Sequence, residues 1–213
     1  YDASLYNSIG KTHVTSELLF NDDEEKYFAF RVYGDNNSSE TMSEVLIDNF
    51  KVIGSTSSGA LNIINSINQN IKNISIVNSG SGLSSNNSTI LIKNSLFYDN
   101  DYAGLSLTNT NGSMLNSIIW SNEFDIFSKS SIGFSIDYSI FSASYGEISE
   151  GSNNIALYPN FNTESFVLNP LSPAIDAGHP GDYDACQPPG VGTLSADIGL
   201  YGGMDNCGAQ NSN

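Results

Sequence analysis

The sequence predicts an all-β protein, a parallel β-helix in which each coil of the solenoid is about 22 residues long. Two observations support this fold class. An Asn or Asp recurs from Val45 to Phe141 with separations of 24, 21, 22 and 21 residues, and a second set of positions repeats with a similar period. Stacked repeats bury a shared core that no single repeat could bury, so a period of this size indicates a solenoid.

The recurring polar residue defines the first column of the repeat. These anchors are Asn49, Asn73, Asn94, Asn116 and Asp137. Apolar residues follow three positions later, at Val52, Ile76, Phe97, Ile119 and Ile140, and one position further on, at Ile53, Val77, Tyr98, Trp120 and Phe141. Two positions before the anchors stand Ile47, Ile71, Ile92 and Met114, whereas the fifth copy has Ser135. We therefore expect an apolar spine inside the coils, with the column before the anchor ending at Ser135.

The four Asn anchors are predicted to form a structural ladder, with Asn49, Asn73, Asn94 and Asn116 at one bend of successive coils. A side-chain amide can hydrogen-bond to backbone groups that a tight turn would otherwise leave unpaired. Parallel coils place equivalent residues about 4.8 Å apart, which lets such bonds pass from coil to coil. We expect these residues to serve the scaffold rather than a chemical function.

A second strand in each coil follows a turn. The turn positions are Gly59, Gly82, Gly104, Asp125 and Gly146, and apolar residues follow each of them. This column is independent of the Asn column and keeps its period. Two columns that share one period are poorly explained by coincidence.

Three segments make up one predicted structural domain. Residues 1–44 are expected to form irregular N-terminal coils or a cap, with strands at Ser16–Phe20 and Tyr27–Tyr33. Residues 45–153 are the regular coils, and residues 154–213 form the final strands and an irregular C-terminal cap. The last segment is rich in Gly and Pro, which is typical of tight turns.

The C-terminal segment resembles the end of the bacterial secreted right-handed parallel β-helix repeat proteins. The resemblance is carried by Pro159 with Phe161, by the SPAIDAG run within Leu168 to Gly178, and by the PPGVGT and DIGLYGG elements within Pro188 to Gly203. It implies a right-handed coil and an extracellular or cell-surface location. It implies no single reaction, because the broader relatives include lyases, glycosidases, adhesins and surface structural proteins.

The two cysteines, Cys186 and Cys207, flank the last of these elements. In an exported protein they are predicted to form a disulfide, which would link the C-terminal cap. Two free thiols in a cytosolic chain are the alternative.

Charge and hydropathy exclude two classes of partner. The chain has 23 acidic and 7 basic residues and a formal net charge of -16, whereas a nucleic-acid-binding face needs clustered Lys and Arg. No run of about 18 apolar residues is present, so no membrane span is predicted.

Acidic residues are the candidate metal ligands. Asp99 and Asp101 follow one strand, and Glu123 and Asp125 follow the next. Asp101 and Glu123 both lie seven positions after an anchor, so they are expected to stack on adjacent coils. Three interpretations remain open: solvated turn acids, a calcium site, or a paired-carboxylate glycosidase site.

A second possible calcium cluster contains Asp182 and Asp184, in the sequence GDYDAC. Aspartates in Gly-rich turns also cap their own backbone, which is the alternative. Tyr98, Tyr102 and Trp120 could stack on a sugar, although Tyr98 and Trp120 occupy a repeat column and are expected to pack instead.

The leading functional prediction is an extracellular, noncatalytic structural or adhesive module that self-assembles through exposed strand edges. The sequence shows no convincing set of catalytic residues, and we therefore assign none. The alternative is a β-helix that binds or degrades extracellular polysaccharide, as a glycosidase or a lyase.

Overall fold

The computed structural model describes residues 30–33, 45–48, 51–53 and 59–207. These residues contain sixteen β-strands and no α-helix. In chain order the strands are β1 (Phe30–Tyr33), β2 (Val45–Asp48), β3 (Lys51–Ile53), β4 (Gly59–Ile64), β5 (Gln69–Lys72), β6 (Ser75–Val77), β7 (Ser81–Asn86), β8 (Thr89–Lys93), β9 (Leu96–Tyr98), β10 (Ala103–Thr108), β11 (Asn111–Leu115), β12 (Ile118–Trp120), β13 (Phe124–Lys129), β14 (Phe134–Asp137), β15 (Ser144–Gly146) and β16 (Ser149–Glu150).

The strands form three parallel sheets, and each of the first four coils contributes one strand to every sheet. Sheet A has the order β1-β4-β7-β10-β13-β15, sheet B the order β2-β5-β8-β11-β14-β16, and sheet C the order β3-β6-β9-β12. The result is a parallel β-solenoid of about 4 turns with roughly 22 residues per coil. The predicted fold class is therefore confirmed.

The core lies inside the coils, where the three sheets face one another. Ile76, Phe97 and Ile119 stack in successive strands of sheet C, and each is 0% exposed. Sheet A contributes Leu83 and Leu105 at paired positions of β7 and β10. The predicted apolar spine is present, and burial of such columns supplies the main favourable term in folding.

The register of the fifth coil differs by one residue from the sequence alignment. Met114 pairs with Ile136, so Ile136 continues the apolar column that was predicted to end at Ser135. Ile136 is fully buried. Asp137 lies level with Leu115, and Tyr138 takes the anchor position with a φ of 45°. The assignment of Asp137 as the fifth anchor is therefore wrong.

The turn column is also corrected at its two ends. Gly59 pairs with Ser81 rather than with Gly82, and Gly146 pairs with Ser128 rather than lying level with Asp125. The last coil is shorter than the others, because Ile140 forms a bridge with Ile155. A fixed period could not reveal this shortening.

The corners of the solenoid share a two-residue pattern. The first residue has a positive φ, a conformation that Asn adopts more readily than most residues. Members of this set are Asn65, Asn87 and Asn109 between sheets A and B, Asn73, Asn94 and Asn116 between sheets B and C, and Asn78, Asp99 and Ser121 between sheets C and A. The Asn anchors thus lie at one bend, as predicted, except that Asn49 lies outside the described residues.

The residue after the positive-φ position carries the ladder. Its side-chain oxygen accepts a hydrogen bond from the backbone N–H of the equivalent residue in the preceding coil. Examples are Ser95 N to Ser117 Oγ (3.1 Å), Ser117 N to Ser139 Oγ (3.2 Å), Ser79 N to Asn100 Oδ1 (3.1 Å) and Thr110 N to Ser131 Oγ (3.0 Å). These buried bonds satisfy backbone donors at each corner.

The amides of the anchors have another role. Asn73 Nδ2 donates to the carbonyl of Leu200 (3.0 Å), and Asn116 Nδ2 donates to Asp182 Oδ2 (3.1 Å). Asn94 Nδ2 is buried without a partner. Asn73 and Asn116 therefore bind the C-terminal segment. The coil-to-coil hydrogen bonds come from the Ser, Thr and Asn residues after the positive-φ positions, rather than from the predicted amide ladder of Asn73, Asn94 and Asn116.

The C-terminal segment, here called the cover (residues 156–207), lies along the side of the solenoid over sheet C. Outward-facing Val77, Leu96 and Ile118 of sheet C join Phe161 and Ile198 of the cover in one apolar cluster. The segment was predicted as a cap, and in the structure it shields a lateral face.

Two ion pairs join the cover to the solenoid, and a disulfide closes a loop within the cover. Lys72 Nζ lies 3.1 Å from Asp205 Oδ2, and Lys93 Nζ lies 3.4 Å from Asp182 Oδ2. Cys186 and Cys207 form the predicted disulfide, with their Cα atoms 5.1 Å apart.

The N-terminal predictions are only partly covered by the described residues. Phe30–Tyr33 forms β1 within the predicted strand Tyr27–Tyr33, and it pairs with β4. The predicted strand Ser16–Phe20 lies outside the described residues. Among the residues that the structure describes, no helix is long and apolar enough to span a membrane.

Candidate functional site

An aromatic cluster lies on the outer face of sheet A near its last strands. It consists of Tyr102, Phe124, Phe127 and Tyr145. Phe127 of β13 pairs directly with Tyr145 of β15. Tyr102 ends the turn before β10, and Phe124 begins β13. Adjacent parallel strands bring these side chains together although 43 positions separate the first from the last.

The four rings contact one another closely. Phe127 and Tyr145 are stacked, with centroids 5.5 Å apart and an interplanar angle of 12°. Tyr102 meets Phe124 edge to face at 5.4 Å and lies 5.6 Å from Phe127. Phe124 lies 5.8 Å from both Phe127 and Tyr145. Each such aromatic pair contributes about 0.5–1.5 kcal/mol beyond the apolar area that it buries.

The cluster is exposed to solvent. Tyr145 is 60% exposed and Tyr102 is 40% exposed, while Phe124 and Phe127 are half-buried. Four aromatic rings on one open face form a larger apolar patch than scattered surface residues, and such patches mark interaction sites. Aromatic faces can stack on the C–H faces of sugar rings, and the tyrosine hydroxyls remain free to contact polar groups.

Exposed carboxylates border the aromatic cluster. Asp101 precedes Tyr102, Glu123 precedes Phe124, and Glu147 follows Tyr145 by two positions, all with exposed side chains. Carboxylate oxygens accept charge-assisted hydrogen bonds from hydroxyl groups. The combination of aromatic faces with bordering acceptors can hold a polyhydroxylated ligand.

Two of the three aromatic residues proposed for sugar stacking lie elsewhere. Tyr98 packs edge to face on Phe161 at 5.1 Å, and Trp120 meets Tyr158 at 6.2 Å, both beneath or beside the cover. Burial, with smaller effects from Asp99 and Tyr158, raises the pKa of Tyr98. The expectation that Tyr98 and Trp120 serve packing agrees with these contacts, and Tyr102 alone of the three belongs to the aromatic cluster.

The sequence reasoning missed Phe124, Phe127 and Tyr145. The turn column predicts a strand after Asp125, but it does not predict that Phe127 faces outward. A usable signal was the alternation Ile126, Phe127, Ser128, in which the flanking residues face inward and are buried.

The four turn acids do not form one site. Asp99, Asp101 and Glu123 are exposed, whereas Asp125 is buried. Ala103 pairs with Phe124, whereas at the preceding corner Asn100 N donates to Asn122 Oδ1 (3.0 Å), so Asp101 and Glu123 lie where the register between the two coils changes by one residue. The stacking expected of Asp101 and Glu123, and the paired-carboxylate interpretation with it, stays a prediction.

Asp125 has a structural role at the corner. Its Oδ2 accepts from Ser142 N (2.7 Å) and Ser142 Oγ (2.8 Å), and its Oδ1 accepts from Asn122 Nδ2 (3.1 Å). Because its oxygens bind these donors, Asp125 closes the short last coil.

The two acids of the GDYDAC sequence also diverge. Asp182 accepts from Lys93 and Asn116, which ties the cover to the solenoid. Asp184 is fully buried, and its Oδ1 accepts from the backbone N–H groups of Asp197 (3.2 Å) and Gly203 (2.6 Å). Within residues 59–207, no three His, Cys, Asp or Glu side chains are grouped closely enough to hold a metal ion.

Asp184 and Asp197 form a buried carboxyl pair inside the cover. Asp184 Oδ2 has no hydrogen-bond donor from the protein, while Asp197 accepts from the backbone N–H groups of Asp176 and Val191, both at 2.8 Å. Burial raises the pKa of both carboxyls, that of Asp197 to about 7, and the neighbouring negative charge of Asp184 raises the pKa of Asp197 further. The negative charge of Asp176 further raises the pKa of Asp184. Buried carboxyls whose pKa values are raised favour their protonated forms.

A groove of about 450 Å³ runs over the outer face of sheet B. It is lined by Lys72, Leu91, Lys93 and Ser113, among others. Both lysines form ion pairs with the cover, so they do not present an unneutralised positive surface. This groove is less suited to ligand stacking than the aromatic cluster, because no aromatic residue lines it.

The fold and the aromatic cluster define a parallel β-solenoid with an exposed aromatic face. Comparison with protein-family models, curated proteins and solved structures finds no match for this chain. The resemblance of the C-terminal segment to secreted β-helix proteins stays a prediction.

Proposed function

We propose that the chain is an extracellular, noncatalytic β-helix module for adhesion, and that it attaches to polysaccharide through the aromatic cluster. The observation that carries this proposal is the exposure of Tyr102 and Tyr145 in a cluster of four rings. The chain already uses residues 156–207 to cover the apolar outer face of sheet C. In the part of the chain that the structure describes, no segment covers the comparable face of sheet A, which suits a ligand that takes the place of a cover.

Binding is better supported than catalysis. A glycosidase needs two carboxyl groups on either side of the scissile bond, with different pKa values. Asp101 and Glu123 are exposed turn residues, and Asp125 is held by Ser142 and Asn122. The buried carboxyl pair with raised pKa values lies inside the cover, away from solvent.

Self-assembly through strand edges finds less support at the C-terminal end of the solenoid. Sheet A ends there in β15, with three residues, and sheet B ends in β16, with two. Very short edge strands are one of the ways in which proteins avoid edge-to-edge association. We therefore place the adhesive surface on the side of the solenoid.

Binding to a glycan array, followed by calorimetry on the best ligand, tests the proposal. Tyr145→Ala should lower the affinity about tenfold or more, because a stacking interaction is lost. Tyr183→Ala is the matched control, since Tyr183 is a similarly exposed tyrosine on the cover. Unchanged affinity in Tyr145→Ala would contradict the proposed surface.

The same ligand should be incubated with the protein and assayed for new reducing ends and for unsaturated products. We expect neither. Product formation that Asp101→Asn and Glu123→Gln abolish would replace adhesion by glycosidase activity.

A further inference from the structure

The outer face of sheet A continues beyond the aromatic cluster as a straight column of small polar residues. The strand register aligns Tyr145, Phe127, Ser106, Ser84 and Asn62 on β15, β13, β10, β7 and β4. Each of the three polar residues is half-buried between inward-facing, buried neighbours, so its side chain lies on the outer surface. The column is therefore one continuous strip.

The strip runs along the solenoid axis. Neighbouring strands are about 4.8 Å apart, so its five positions span about 19 Å. The spacing between neighbouring strands is comparable with the length of one sugar unit in an extended chain. An extended polysaccharide can therefore place successive rings over successive strands.

The chemistry changes along the strip. Phe127 and Tyr145 offer stacking faces at one end. Ser84 and Ser106 offer short hydroxyl groups, which donate and accept hydrogen bonds without blocking the surface. Asn62 follows the two serines, and its Nδ2 donates to the carbonyl of Gly59 (2.7 Å), which fixes the side chain. Beyond Asn62 the register continues to Arg31 of β1.

Charge selects the class of sugar. The exposed acids Asp101, Glu123 and Glu147 border the aromatic end, and Lys129 lies at the opposite end of β13. The chain as a whole carries a net charge of -16. This field repels a polyuronate, whereas it does not oppose an uncharged polymer.

Resting on the proposed function, we infer that the ligand is a neutral polysaccharide that lies parallel to the solenoid axis, stacked on Phe127 and Tyr145 and extending over Ser106 and Ser84. The aromatic end supplies the binding of a short fragment. The serines form additional subsites that only a longer fragment reaches.

Calorimetry with neutral oligosaccharides of two and six units tests this inference, with cello-, xylo- and manno-oligosaccharides as probes and polygalacturonate as the charged comparison. In the wild type the hexasaccharide should bind about tenfold more tightly than the disaccharide, because it reaches the serine subsites. Ser106→Arg should remove that gain, since a long side chain blocks the strip, and should leave the disaccharide affinity within about twofold.

Ser113→Arg is the matched control, because Ser113 is a half-buried serine on sheet B of the same coil. It should bind both fragments like the wild type. Equal affinity for the two fragments, or a loss in Ser113→Arg with none in Ser106→Arg, would overturn the axial strip while leaving binding by the aromatic cluster in place.

Tighter binding of polygalacturonate than of every neutral probe would overturn the ligand class. Failure of every probe to bind would overturn the proposed function itself and this inference with it. Circular dichroism of each variant checks that the solenoid is folded before affinities are compared.

Discussion

The outer faces of sheet A and sheet C are built from the same coils, yet they differ in what lies on them. Sheet C carries Tyr98 and Trp120, and residues 156–207 cover this face. Sheet A carries Phe127 and Tyr145, and in the part of the chain that the structure describes these rings are exposed or half-buried. An outward aromatic column can therefore serve packing or recognition. What covers the column decides between the two.

The difference has an energetic consequence. Apolar area removed from water contributes roughly 25 cal/mol per Å² to folding, so the covered face stabilises the protein. The open face makes a smaller contribution until a ligand removes its apolar area from water. Substitutions on the covered face should therefore lower mainly stability, whereas substitutions on the open face should lower mainly ligand binding.

The largest effect is expected beneath the cover. Ile118 of β12 is 2% exposed and lies in the apolar cluster formed with the cover. Ile118→Ala should lower the free energy of unfolding by about 2–5 kcal/mol, because it leaves a cavity between solenoid and cover. Urea denaturation measures the loss, and hydrogen exchange should show reduced protection of the cover.

The matched substitution on the open face is Ile64→Ala. Ile64 ends β4 of sheet A and is 37% exposed. It should cost less than about 1 kcal/mol, as expected of exposed positions. Equal losses from the two substitutions would break the comparison between a covered and an open face.

A smaller effect is expected from pH, and it belongs to the cover. Burial raises the pKa of Asp197 from an ordinary 3.8 to about 7, so the folded state binds its proton more tightly than the unfolded state does. The stabilisation from this proton is complete below the unfolded pKa and is lost as the pH rises through about 7. The contribution of Asp197 alone should be on the order of 4 kcal/mol. Urea denaturation from pH 5 to pH 9 should show falling stability.

Asp184→Asn isolates this pair. The amide can keep the Oδ1 acceptor for Asp197 N and Gly203 N, while its NH₂ group donates to the Asp197 carboxylate. The pKa of Asp197 should then fall, and the decline in stability between pH 5 and pH 9 should flatten. An unchanged pH dependence in this variant would show that other groups cause it.

The smallest of the three stability effects is expected at the corner that joins the two faces. Asn100 is buried between sheets C and A, and its Oδ1 accepts from Ser79 N (3.1 Å). Asn100→Ala leaves that N–H buried and unpaired, which should cost about 1–3 kcal/mol. The exposed Asn111 is the control, since Asn111→Ala should cost about 0.5 kcal/mol or less. Denaturant unfolding of both variants decides whether the ladder residue carries this stability.

The corner ladder could have been found in the sequence. The dipeptides Asn65-Ser66, Asn87-Ser88, Asn94-Ser95, Asn109-Thr110 and Asn116-Ser117 recur at the coil period. The Asn accounts for the positive φ, while the following Ser or Thr accounts for the hydrogen bond. An alignment on the Asn anchors alone does not show that the Asn adopts the positive φ while the residue after it makes the hydrogen bond.

The aromatic cluster was less accessible to sequence reasoning. Tyr102 and Tyr145 lie 43 positions apart, and their proximity depends on the register of three strands. The last coil shortens between Ile126 and Ser144, which shifts Tyr145 into line with Phe127. A period taken from the regular coils places that residue elsewhere.

The sequence by itself determined the solenoid, its coil length and its apolar spine, because local periodicity specifies which side chains face inward when parallel strands stack. Only the tertiary structure decided whether each column of outward-facing residues is covered or exposed. The return of residues 156–207 over sheet C is a long-range packing event, and it turned Tyr98 and Trp120 into packing residues. Sheet A has no such cover among the described residues, so Phe127 and Tyr145 remain at the surface.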